Sequence, residues 1–505
     1  MFYFIIVSVF LSLYAVLSWR YFSYGFFFLI FYFPFQVALN PPIIGVDIAT
    51  GRLMIMVLFF ICVIKFFYLT KELRAQLLVT IKKDKIGWLL LLFLFFSVLS
   101  VLWSENWIWG LRKWLVFASI FPLYWIALYA LFIEKDGGKN SSRIVITPMA
   151  IVFFVSLSAF LVAISALIQF FGQFIWNGDK VFHFWARNFF PVFLGQEFGA
   201  IVFRYQSWFV NISGKTIMRA VGFFPDPHIF GFYIGLTAPL ALSVILNFWS
   251  KNKIIPYWIG ILCLFAATIL TFSRSAYAGL VAGIFVFFIL WLKSGLEKKR
   301  IIFALIFITI LLSGILFSPI YNRFYSSFNI KEVSNAGRLK NWREAWSVIE
   351  KYPLYGSGIG SYQLNINEKE DKLNNLKQKH IFSGVIASWF YDNNSGDYFG
   401  ENYRTPIYAH NLYLDIWAEM GIIGLLLWMG VFVIIFWESA KILFGGIVLD
   451  KCSVAYLIGT MAALSWFVVQ SFFDTAIYSP IVLPILMVIF AINTFLRFNI
   501  TKQLI

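Results

Sequence analysis

The chain has 505 residues, 61% hydrophobic and only 13% charged, with a mean hydropathy of +0.81. That balance excludes a soluble domain of this size, so most of the surface must face lipid. The formal charge of +16 therefore reads as lysine and arginine fixing a membrane topology, some of them meeting anionic lipid or phosphate, and not as a nucleic-acid footprint.

Aromatic residues reach 21%, with 61 Phe, as suits lipid-facing helices that carry Trp and Tyr at their ends. The opening MFYFIIVSVFLSLYAVLS lacks a basic leader and a small-residue cleavage site, so a retained span is expected there. Apolar runs of about 17–25 residues mark transmembrane helices. Thirteen occur, near 2–18, 22–39, 53–69, 87–103, 114–133, 148–171, 228–248, 254–271, 276–292, 301–318, 412–436, 453–471 and 479–496; twelve or fourteen also fit the pattern. The expected fold is an all-α polytopic transmembrane bundle of about 12–13 spans, with a long external loop containing short amphipathic helices. Its divisions are N-terminal helices at 1–171, an external loop at 172–227, central helices at 228–318, a large external loop at 319–409 and C-terminal helices at 410–505. Cys62, Cys263 and Cys452 lie in or beside apolar runs with no metal-ligand spacing, so neither a disulfide framework nor a zinc site is indicated.

Short connections orient the spans. Lys71–Lys85 carries five basic residues, Glu134–Arg143 three and Lys293–Arg300 four; with thirteen spans these share one side with Lys251, Lys253, Lys441, Lys451 and the C-terminal tail. The positive-inside rule makes that side the cytoplasm and leaves both long segments outside. In the second, GRLKNWREAWSVIEKYP repeats apolar residues at Leu339, Trp342, Trp346 and Ile349 and meets Pro353, a short amphipathic helix packed on the membrane face or the bundle. Lys65 is the one charge expected well inside a span.

Four outward positions carry candidate chemistry. Arg219 lies where a loop enters the seventh span, Arg274 in a tight turn between spans eight and nine, Arg338 at the start of the external helix, and His410 where span eleven begins. Each alone has a plain explanation, snorkelling for an arginine and a structural hydrogen bond for a histidine. Their gathering on one face points further, because guanidinium forks suit phosphate oxygens and an imidazole suits proton removal near neutral pH. Asp226 is close enough in sequence to orient Arg219. GSGIG at 356–360 follows no strand and reads as a turn, not a nucleotide loop. The run Glu368, Glu370, Asp371 reads as a solvated loop face. No Asp-x-Asp pair occurs, and His183, His228 and His380 lack ligand-like spacing, so no metal or other cofactor is expected.

These residues resemble the O-antigen ligase and O-antigen polymerase superfamily of bacterial envelope glycosyltransferases. HNLYLDIWAEMGIIG is similar to that family's His, then Asn, Ser or Gln, nine residues, and Gly-x-x-Gly, through His410, Asn411, Gly421 and Gly424. TFSR, with Ser273 and Arg274, resembles its Thr-x-Ser-Arg element. GRLKNWREAWSVIEKYPLYGSGIGSY resembles its Gly-Arg, Trp, Pro-x-x-Gly-x-Gly stretch. RAVGFFPDPHIFGFY resembles its Arg-x-x-Gly-x-Phe element, with Asp226-Pro227-His228 where Pro-Asn is common, and SVLWSEN is similar to a further segment. The likeness is specific over about 215–430. An outer Arg-x-x-x-Leu, described for ligases, is missing, which favours polymerase over ligase.

The resemblance implies a glycan donor carried on undecaprenyl diphosphate, and an acceptor that is either another lipid-linked repeat unit or the lipid A core of lipopolysaccharide. Under it, Arg274, Arg338 and Arg219 neutralise the diphosphate, His410 deprotonates the acceptor hydroxyl, and one displacement inverts the anomeric carbon without a metal. Asn411, Ser273, Gly421 and Gly424 support the site; for the two glycines, simple helix packing is the alternative. The expected location is the bacterial cytoplasmic membrane, with the site on its periplasmic face. A transporter or flippase of the same lipid-linked glycan is the competing class, against which stand the scarcity of mid-membrane charges and the lack of a repeat.

Overall fold

The computed structural model describes residues 2–39, 48–133, 145–195, 206–212, 214–248, 255–293, 333–362, 408–445 and 450–503. Among these, nine helices are long and apolar enough to cross a membrane: Thr50–Phe67, Lys85–Trp103, Trp107–Phe132, Pro148–Trp176, Pro227–Val244, Arg274–Lys293, Leu412–Phe444, Lys451–Gln470 and Val482–Asn499. Three shorter apolar helices, Ile5–Arg20, Phe22–Phe35 and Tyr257–Leu270, match three further runs. The chain is a multi-pass, all-α membrane protein. The run at 301–318, most of 319–409, His380 and the 368–371 acidic run lie outside the described residues. Helices dominate because a spanning segment has no water for its backbone and must satisfy every peptide group internally. The lipid-facing surface is plain in Ile175, Leu426, Val433 and Trp437, all more than half exposed.

Sequence boundaries shifted where polar residues were tolerated inside a span. The run expected at 114–133 begins at Trp107, with Asn106 accepting from the Trp109 amide as its cap. This brings Lys113 into a span and corrects the expectation that Lys65 stands alone: Lys113 meets the buried Glu419 of the Leu412–Phe444 helix at 2.5 Å. Lys65 sits in the last turn of its helix, over the rings of Trp19 and Phe22. The amphipathic helix expected from GRLKNWREAWSVIEKYP runs Val333–Lys351, so Arg338 lies in its second turn and not at its start. Its buried line is Ala345, Val348 and Ile349, with Trp342 partly covered; Trp346 is exposed and packs edge-on against Trp417 instead of entering the core. Two small antiparallel ladders, Ala38–Leu39 with Ile48–Ala49 and Phe209–Ile212 with Lys215–Met218, interrupt the helices and were not anticipated.

Two backbone devices position everything at the site end. The first is a break in the Leu412–Phe444 helix at Gly421, where φ is 65° and ψ −173°. The break strands peptide groups inside a spanning helix, and the segment after Pro353 supplies their partners. Ser357 N donates to Ala418 O at 2.8 Å, Gly358 N to Glu419 O at 2.9 Å, and Ile422 N reaches Pro353 O at 3.0 Å. GSGIG is thus a docking turn, with positive φ at Gly356, Gly358 and Gly360. Its other side rests on the SVLWSEN stretch: Ile359 N donates to Ser100 Oγ, and Ser361 Oγ bonds Ser104 Oγ at 2.7 Å. The second device is a wedge. The Trp466 ring fills a notch between Gly235 and Gly279, where any β-carbon would collide with it. Its Nε1 donates to Gln470 Oε1 at 2.9 Å, and Gln470 Nε2 donates to His228 O at 3.0 Å.

Basic residues collect at the opposite ends of the same helices. Lys293 lies over Phe444, Lys85 pairs with Glu438 at 3.4 Å, and Arg497 faces Asp84 at 3.7 Å.

A substitution pair separates strain from helix propensity. Gly421→Ala must hold a glycine-only conformation and drive its β-carbon into Leu354 O, and should lose about 1–3 kcal/mol. Gly337→Ala, in an exposed helix with open space around it, should be neutral or gain up to about 1 kcal/mol. Thermal unfolding in detergent reads both signs.

Candidate functional site

Four segments converge at one end of the bundle, and local chemistry explains each. Asn411 caps the Leu412–Phe444 helix, its Oδ1 accepting from the amides of Tyr413 at 3.0 Å and Leu414 at 3.2 Å. A side-chain acceptor is what a helix start needs, so the residue after His410 secures the histidine's place. His410 itself has φ 50°, a left-handed turn residue held from both sides. Ala409 N donates to Asp415 Oδ1 at 2.7 Å, and Asp415 Oδ2 also accepts from Thr475 Oγ1. Leu412 N donates to Ser471 O at 2.9 Å, tying the start of this helix to the 471–475 connection.

The TFSR turn works in the same way. Thr271 Oγ1 closes the preceding helix on Thr268 O at 2.6 Å, Phe272 takes φ 48°, and Ser273 Oγ accepts from Ala276 N at 3.4 Å as Arg274 opens the next helix. Arg219 leaves the Lys215–Met218 strand and is buried. Its Nε donates to Thr271 O at 2.6 Å and its Nη1 to Ser207 O at 3.1 Å, so it ties the turn to the hairpin. Gln173 exchanges two hydrogen bonds with Met218, and Gln169 Oε1 accepts from Val221 N and Gly222 N, bracing this loop from within the Pro148–Trp176 helix. Asp226 Oδ1 accepts from His228 N at 2.7 Å and Ile229 N at 2.9 Å, capping the Pro227–Phe248 helix.

At the centre is a carboxylate that sequence reading overlooked. Asp474 Oδ1 lies 3.2 Å from His410 Nδ1 and accepts from Thr475 N at 3.0 Å, while Oδ2 lies 3.1 Å from His228 Nδ1. Burial works against the Asp474 anion, but the two imidazoles and Arg338 outweigh it and hold the carboxyl below its usual range. Burial likewise works against the His410 imidazolium, yet the hydrogen bond and charge of Asp474 prevail, so the ring binds its proton more tightly than an ordinary histidine. A third of the His410 side chain stays accessible. With Nδ1 on Asp474, Nε2 is the nitrogen presented to a partner.

Of the expected residues, the fold gathers His410, Arg338 and Arg219. The charge of Arg338 acts on His410, Asp474 and His228, and that of Arg219 on His228. Ser273 joins them through His228 Nδ1, 2.8 Å from its Oγ. Arg274 follows directly, half-buried at the helix start. Gly421 and Gly424 serve the helix break: Gly421 passes against Leu354, and a β-carbon at Gly424 would strike Met420. Asp474 had a signal in the sequence, as the sole charge in the SFFDTAIYS connection on the His410 side. His228 had one too, in the first turn of the span that follows Arg219. Beneath His410, Glu419 is closed by Lys113 and by Tyr478 OH at 3.1 Å, with Lys113 over the Tyr478 ring at 4.7 Å.

The protein is thus a polytopic helical bundle that gathers a carboxylate-held histidine and the charges of two arginines at one end. Residues 259–429 match the family model described as O-antigen ligase, which supports the O-antigen ligase and polymerase superfamily for this chain. With it comes a ligase- or polymerase-type membrane glycosyltransferase in general terms. The match includes Ser273, Arg274, Arg338, His410, Asn411, Gly421 and Gly424, and leaves out Arg219, His228 and Asp474. No curated protein matches the chain in a sequence search.

Asp474→Asn removes the charge that favours the imidazolium, so the His410 titration midpoint should move to lower pH. Histidine-detected NMR, on a chain with four His, measures this directly.

Proposed function

We propose that the protein transfers a glycan from undecaprenyl diphosphate to an acceptor sugar hydroxyl, on the periplasmic face of a bacterial cytoplasmic membrane, by a metal-independent inverting displacement. The observation that carries this reading is the Asp474–His410 pair beside the charges of Arg338 and Arg219. The acceptor hydroxyl gives its proton to His410 Nε2 as its oxygen attacks the anomeric carbon. The bond from that carbon to the diphosphate oxygen breaks, and undecaprenyl diphosphate leaves with the electron pair. Asp474 keeps Nδ1 protonated and offsets the imidazolium that forms.

Arg338 and Arg274 neutralise the departing diphosphate, so it leaves without needing a proton. Arg219 contributes its charge while its donors hold the Thr271–Ser273 turn. Ser273, Asn411, Gly421 and Gly424 act by fixing these groups. The basic residues at the far helix ends favour a periplasmic site by the positive-inside rule. The five divisions named from sequence then read as two membrane blocks that hold the site, a central one that carries the Ser-Arg turn, and two external segments that meet the glycan. A polymerase, joining lipid-linked repeats, is favoured over a ligase acting on lipid A core by the lack of an Arg-x-x-x-Leu on the side read as outer.

Purified protein with lipid-linked donor and candidate acceptors, without added metal, tests the reading. His410→Ala should lose at least about 100-fold in transfer, Arg338→Ala should weaken donor use, and both should remain folded. Below its midpoint His410 is already protonated and cannot serve as base, so the acid limb of the rate profile should follow the His410 titration and move to lower pH in Asp474→Asn. Full activity in His410→Ala removes the base assignment. Donor binding or translocation without transfer by the wild type replaces the enzyme with a transporter or flippase.

A further inference from the structure

We propose that His228 is a second imidazole on the Asp474 carboxylate, a positioning residue that by sharing it sets how much of that charge His410 feels. The two rings approach different oxygens of one carboxylate, His410 Nδ1 at Oδ1 and His228 Nδ1 at Oδ2, at 3.2 and 3.1 Å. An ionised oxygen and a bare ring nitrogen at that separation would repel through their lone pairs, so His228 Nδ1 carries a proton. That N–H has competing acceptors: Ser273 Oγ at 2.8 Å, Ser275 Oγ at 3.2 Å and Asp474 Oδ2. Oδ2 is buried and accepts no hydrogen bond from the described residues. The serine pair, bonded to each other at 3.0 Å, therefore draws the His228 proton aside and leaves Asp474 with charge to spend on His410.

The groups that bear on this balance come from several elements. Asp474, Arg219, Arg338 and His410 act on His228, and Asp474, Arg338 and Asp415 act on His410. The backbone of His228 is held independently, by Asp226 at its amide and Gln470 at its carbonyl, so its ring can be changed without releasing the helix start.

His228 acts here on the base assigned to His410 above, but the test reads protonation and not transfer, so either can fail alone. Full-length protein in detergent is treated with diethylpyrocarbonate across a pH series, and modification of the His410 peptide is followed by mass spectrometry. His228→Ala removes the competing group, and the His410 midpoint should rise by about 0.5–1 unit. His228→Asn, which keeps an N–H near the Nδ1 position, should return most of that shift. Ser273→Ala frees the His228 proton for Oδ2 and should move the midpoint the opposite way. A midpoint unmoved in all three, or displaced in the same direction by His228→Ala and Ser273→Ala, overturns the proposal. Transfer that stays lost despite the expected midpoints would count instead against His410 as the base.

Discussion

A peptide group inside a bilayer must find a protein partner, and the break at Gly421 makes that requirement specific. The interrupted helix presents two carbonyls and an amide, and the turn after Pro353 carries the matching donors and acceptor. That turn also closes the Val333–Lys351 helix bearing Arg338, while the interrupted helix begins just after His410. Hydrogen bonds of this kind thus join the helix that bears Arg338 to the helix that starts after His410, across about seventy intervening residues. The SVLWSEN stretch forms the other wall of the socket, which gives a physical reason for serines at Ser100, Ser104 and Ser361.

Charge is handled with similar restraint. The membrane end of the site holds several ionisable groups, each answered locally: Glu419 by Lys113 and Tyr478, Asp415 by Ala409 N and Thr475, Asp474 by His410 and Thr475 N. The Lys113–Glu419 pair is closed on itself and lies about two turns below the helix start, a placement closer to a site support than to a mid-membrane ion path.

Much of the fold could be read from sequence because hydropathy reports a helix that meets lipid, and all nine long apolar helices correspond to runs of that kind. Elements satisfied by protein partners were harder. The segment around Arg219 is braced from a distant helix, Gln173 holding the hairpin strand before it at Met218 and Gln169 the loop after it at Val221 and Gly222, a pairing no local pattern announces. Trp346 fits the periodicity of a buried stripe yet lies outside it, because Trp417 gives it an aromatic partner at the surface. His410, Arg338 and Arg219 were legible through residue type and topology. Asp474 offered only its lone charge in SFFDTAIYS, since its meaning comes from a contact across 64 residues and from a loop whose length gives no hint of which side chain turns inward.

The tryptophan wedge has a mechanical side. Trp466 locks the Pro227, Arg274 and Lys451 helices without intervening flexible side chains, and its hydrogen bond continues through Gln470 to His228 O. Three helices clamped in this way keep a fixed height relative to one another. The height at which His228 stands is then set by an internal ruler and not by the thickness of the surrounding bilayer. Lipids of different chain length would have to adapt to the protein by tilting or stretching around it, and the side chains at that end of the bundle would stay in register as they did so.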